Sequence, residues 1–116
     1  MTLKAYQKAQ AAGESPRSAE YRLFGQVTGA LIDAQSKGAK GKPLVDAIDW
    51  NRRLWSTLAV DCLDDGNRLP KELRAQIVSL SLWVNKYSGE VMREGATLEP
   101  LIDVNRTIMQ GLQPAA

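Results

Sequence analysis

The sequence predicts an all-α fold: a single-domain antiparallel bundle of four main helices, preceded by a short, mobile helix over about residues 2–12. Three observations carry this. Apolar residues recur at spacings of three and four in four separate stretches. Strand signals are almost absent, with no alternating apolar run and no Asn-Gly hairpin turn. Glycine and proline fall between the periodic stretches and leave short connections, which favours antiparallel neighbours. The 116 residues suit one domain that buries a core without disulfides or metals.

The opening segment, about Thr2 to Ala12, is rich in Ala and Gln and has only Leu3 and Tyr6 to bury. A helix with so little apolar surface is marginal and free to detach. Ser15 and Pro16 then offer an N-cap and a first-turn proline. Phe24, Val27, Leu31 and Ala34 form the next stripe, and Gly38 and Gly41 stop it. Pro43 opens a further helix that runs to about Asp64, with Leu44, Ile48, Asn51, Trp55, Leu58 and Cys62 on one side. After the turn signal Asp65-Gly66-Asn67, Leu69-Pro70 starts a helix with the stripe Leu73, Ile77, Leu80, Val84, Tyr87, Val91. Gly89 weakens its last turns. Thr97 is the expected cap of the final helix, with Leu98, Leu101, Asn105, Ile108 and Leu112 as its stripe. Gly111 is its expected terminator, and Pro114-Ala115-Ala116 reads as a frayed tail.

Composition excludes much chemistry. There is no histidine and only one cysteine, Cys62. The chain therefore lacks the usual general base, the Ser-His and Cys-His pairs, and the commonest metal ligand. A lone cysteine builds neither a disulfide nor a structural zinc site. Cys62 lies on a core stripe and reads as a small buried hydrophobe. Asp61, Asp64 and Asp65 do not match a calcium loop and read as a solvated helix end with turn-forming aspartates. The expectation is a binding protein rather than an enzyme, with no cofactor and no metal. A net charge of +2 gives no case for nucleic acid. Lys37, Lys40 and Lys42, spaced by Gly38 and Gly41, read as a solvated loop without P-loop spacing. No apolar run reaches the ~20 residues of a membrane span, and the first residues do not form a signal peptide; the expected location is cytoplasmic.

Four residues are candidates for partner contact: Tyr6, Trp50, Asn51 and Trp83. Asn51 and Asn105 interrupt apolar stripes. Either they bond each other or a neighbouring helix end and fix the bundle's register, or they face a groove and bond a guest backbone. On a helical wheel Trp50 points about 140° from Trp55, and Trp83 about 120° from Ile77. Either these helices bury two faces, or the outlying tryptophans mark a partner site of the kind aromatic residues dominate.

Ala5-Tyr6-Gln7, Ser15-Pro16-Arg17 with Glu20, and Asn51-Arg52-Arg53-Leu54-Trp55 occur in order along the chain. Asn67-Arg68-Leu69-Pro70, Leu73-Arg74-Ala75-Gln76-Ile77, Leu82-Trp83-Val84 and Leu101-Ile102-Asp103-Val104-Asn105 follow them. Together they resemble the FlaF family over nearly the whole chain. The resemblance implies a flagellar-biosynthesis regulator that promotes synthesis and export of flagellin. It implies association with flagellin as a secretion chaperone, acting opposite the translational repressor FlbT. The alternative it leaves open is post-transcriptional control through FlbT or the flagellin message. Direct RNA contact has little support, because Arg52, Arg53, Lys71 and Arg74 are interleaved with acids.

Overall fold

The computed structural model describes residues 16–112. The expected helix over about residues 2–12, with Tyr6, and the expected tail at 114–116 lie outside the described residues. Four helices make up the described chain: α1 (Pro16–Ser36), α2 (Lys42–Cys62), α3 (Lys71–Glu94) and α4 (Glu99–Leu112). There is no strand among the described residues.

The stripes become the core. Phe24, Val27 and Leu31 of α1 are fully buried, as are Ile48 of α2, Ile77 and Val84 of α3, and Leu101 and Leu112 of α4. Trp55 sits at the centre with its ring edge-on to Phe24, the centroids 5.6 Å apart and the planes at 87°. This is the arrangement that ring quadrupoles favour. Each helix packs on two others, in the cyclic order α1, α2, α3, α4. Cross-helix pairs fix the directions. Gln35 of α1 donates to Glu99 of α4, and about two turns earlier on α1 Thr28 meets Asn105, later on α4; α1 and α4 are therefore antiparallel. Between α2 and α3, Arg52 pairs with Asn85, and Arg74 reaches the end of α2.

The helix ends follow local chemistry. Gly38, at φ 59°, lets the chain close α1 with bonds from Ala39 N–H to the Ala34 carbonyl and from Gly38 N–H to Gln35, a Schellman motif. α2 stops at Cys62, two residues before the expected end. The Cys62 carbonyl that ends it and the Asp64 carbonyl of the turn that follows accept from the Arg74 guanidinium at 2.9 and 3.0 Å, a cation at the negative end of the dipole. The aspartate turn behaves as the sequence predicts: Asp64 Oδ1 accepts from Gly66 N–H, and Asn67 Oδ1 from Leu69 N–H. Gly89 does not weaken α3, which runs on to Gly95, where φ is 72° and the N–H bonds the Val91 carbonyl.

Two expectations fail in α4. Its first bond runs from Ile102 N–H to the Leu98 carbonyl, so Leu98 rather than Thr97 stands at the cap. The Leu98 side chain is buried, and the Thr97 carbonyl instead accepts from the Tyr87 hydroxyl at 2.7 Å. Gly111 is not a terminator, because α4 continues to the fully buried Leu112. A Cβ at Gly111 would come within 3.1 Å of Leu73; glycine there allows α4 to close on α3.

Candidate partner-binding surface

Asn51 is not on the surface. It and Asn105 are both fully buried, and Asn105 Nδ2 donates to Asn51 Oδ1 at 2.8 Å and to Thr28 Oγ1 at 3.1 Å. The remaining oxygen of Asn105 accepts from Trp55 Nε1 at 2.8 Å. The register reading of the two asparagines therefore describes their geometry, and the groove reading of Asn51 does not fit it. Asn105 is the hub, joining α1, α2 and α4 through one amide. Asn51 Nδ2 has no hydrogen-bond partner among the described residues.

The two outlying tryptophans face different sides. Trp50 is 39% exposed and walls a hollow of about 400 Å³ between α1 and α2, floored by Ala30, Ala34 and Ala47. Trp83 is half-buried and stacks on Tyr87, one turn on, at a centroid distance of 5.1 Å. Tyr87 in turn bonds the connection to α4, so Trp83 belongs to the α3–α4 side.

A third surface escaped the sequence reading. Leu63, Ala75, Val78 and Leu82 line an open cleft of about 600 Å³ between the end of α2 and α3, with Lys71 and Arg74 at its margin. Leu63 is 68% exposed and Leu82 71%, and Val60, one turn before Leu63, is 67% exposed. These are the three most exposed large apolar side chains among the described residues. Their signal in the sequence is a second period on α3, Lys71-Ala75-Val78-Leu82, set off from the core stripe.

The model of the flagellar protein FlaF matches residues 2–112. The chain belongs to the FlaF family. No curated protein matches the chain, and no solved structure does. No helix of the described residues is long and apolar enough to cross a membrane.

Two titratable side chains of this FlaF chain, Asp61 and Cys62, depart from their ordinary behaviour among the described residues. No group of three or more metal-ligating side chains could hold an ion there. Asp61 lies in a small polar hollow with Glu20 and Asp64; partial burial, then the Asp64 carboxylate, raises its pKa. The Cys62 thiol is pushed up to about 11, chiefly by burial and secondly by the Glu20 carboxylate, with Arg74 opposing. The neighbouring Asp61 adds the smallest push. A raised thiol pKa means that the folded chain holds its proton more tightly than the unfolded chain. Stability from this group is therefore intact below the ordinary thiol pKa and is lost as pH rises from there to about 11. Cys62 is expected to react with iodoacetamide at pH 8 at least ~100-fold more slowly than in the urea-unfolded chain. Equal rates, followed by mass spectrometry, would show that the thiol is not protected.

Proposed function

We propose that this FlaF chain binds flagellin and promotes its synthesis and export as a secretion chaperone, from the cytoplasm. The family supports the flagellar setting. The observation that carries the binding reading is the set of uncovered apolar side chains at Leu63, Val60 and Leu82. Surfaces of this kind, rimmed by polar residues, serve as protein contacts. A helical bundle with an apolar cleft covers an amphipathic segment as a helix-in-groove pair, and that keeps a self-associating client from polymerising before export.

Isothermal titration calorimetry with monomeric flagellin tests this. Saturable binding is the expected result. Its absence would overturn the chaperone reading and move the function to FlbT or the flagellin message. Direct RNA contact is the less favoured route: Arg52 is engaged by Asn85, Arg53 by Asp49, and Arg74 by two carbonyls. Tyr6, Trp50 and Trp83 stay candidate contacts under this proposal. Because Trp50 and Trp83 face different sides, Trp50→Ala and Trp83→Ala weaken binding together only if the client wraps both.

A further inference from the structure

Five of the seven large apolar residues left exposed among the described residues are Val45, Val60, Leu63, Leu82 and Met92. All belong to α2, the residue after it, or α3. The pair Arg52–Asn85 sets the antiparallel register of α2 and α3, and that register brings Val45 opposite Met92 at the far end from Leu63. The apolar surface thus follows the α2–α3 seam rather than forming one spot.

On α3 the charge of this face is one-sided. At 100° per residue, the positions of α3 within about 40° of Leu82 are Lys71, Ala75, Val78, Lys86, Gly89 and Arg93. Every charged residue in this sector is basic. Glu72 and Glu90 lie about 80° away, on the side turned from α2. Lys71 and Lys86 are exposed. The Arg93 guanidinium lies over Gly89, where an added Cβ would come within 2.7 Å of it. Asp49, the acid of α2 nearest this face, is held by Arg53 at 3.3 Å. From Lys71 to Arg93 the sector runs for about 33 Å at 1.5 Å per residue, the length of a helix of roughly 20 residues.

We infer that the α2–α3 face docks an amphipathic helix of the partner protein, one whose apolar stripe is flanked by carboxylates. The inference deepens the flagellin-binding reading and rests on it. Apolar contact at Leu63, Val78 and Leu82 supplies the affinity, and Lys71 and Lys86 select an acidic flank and its orientation. An apolar centre between the basic residues favours a protein helix over RNA, whose recognition needs exposed stacking aromatics.

The test is calorimetry of the full chain with monomeric flagellin. It compares wild type, Leu82→Asp, Lys71→Glu/Lys86→Glu and, on the exposed side of α4, Thr107→Ala, with circular dichroism confirming each fold. The expected result is a loss of at least ~10-fold in affinity for Leu82→Asp and for the double charge reversal. Thr107→Ala stays within about twofold, and added salt narrows the gap between wild type and the charge reversal. All four substituted side chains are exposed or partly so, and folding is expected to survive. Unchanged affinity in both cleft variants, with wild type binding, would overturn the inference and leave the flagellin reading standing. Absence of wild-type binding would overturn both. Charge reversal that abolishes binding of a flagellin-message oligonucleotide, while flagellin binding is unaltered, would also overturn it in favour of RNA.

Discussion

Asn105→Leu is expected to lower the unfolding free energy by about 3–5 kcal/mol, out of the roughly 5–15 kcal/mol a domain of this size possesses. Leucine keeps the branched shape of asparagine and is larger, so no cavity forms and some overpacking adds to the cost. Most of the loss comes from the partners. Trp55 Nε1–H and Asn51 Oδ1 each lose a bond at 2.8 Å, and both sit in fully buried side chains that water does not reach. Each orphaned group costs about 1–3 kcal/mol. Thermal unfolding followed by circular dichroism should show a midpoint ~15–25 °C lower. Asn51→Leu should cost much less, because Asn51 Nδ2 has no partner among the described residues and Asn105 keeps Thr28. A wild-type midpoint in Asn105→Leu would show that water or a rearrangement satisfies these groups and that the amide is not a hub.

Trp55→Ala is expected to be at least as severe, at about 5 kcal/mol. Trp-to-Ala changes in cores cost roughly 3–5 kcal/mol through lost burial and residual cavity. Here the ring also gives up its edge contact with Phe24 and leaves Asn105 Oδ1 without a donor. Urea unfolding would read this as a midpoint near zero, or as a chain with no cooperative transition. The two substitutions share one bond, so the double variant should cost less than their sum. Strict additivity would mean that the Trp55–Asn105 contact contributes nothing.

The periodic stripes made the helices legible because each buries one face against its neighbours, and 3.6-residue spacing records that burial directly. Phe24, Ile48, Trp55, Val84 and Ile108 could all be placed inside before any fold was known. The pairing of Asn51 with Asn105 was legible as one of the alternatives, beside a bond to a neighbouring helix end or to a guest backbone, since a polar interruption in an apolar stripe needs a partner. That Trp55 and Thr28 complete the cluster was not, because it depends on which helices lie side by side. Helix ends were the weakest part. Thr97 has good capping chemistry, yet the burial of Leu98 fixes where the chain turns, and packing overrides a cap preference worth about 1 kcal/mol. Gly111 looked like a stop because close approach to Leu73 leaves no mark in the local sequence. The α2–α3 cleft was hidden for a related reason. Leu63 stands before two aspartates and Leu82 stands between core-stripe residues; single exposed apolar residues are ordinary, and only the fold brings these two together.

The position of the hub has a consequence for how the chain is made. Asn105 is separated from Trp55 by 50 residues, from Asn51 by 54 and from Thr28 by 77. Synthesis proceeds from the amino end, so α1, α2 and α3 leave the ribosome before the amide they depend on. Until α4 emerges, the indole of Trp55 lacks this acceptor, and closing the three earlier helices over it would cost about 1–3 kcal/mol. The domain therefore completes its interior only once α4 has joined the other three helices, and until then the Trp55 indole N–H is without its Asn105 acceptor.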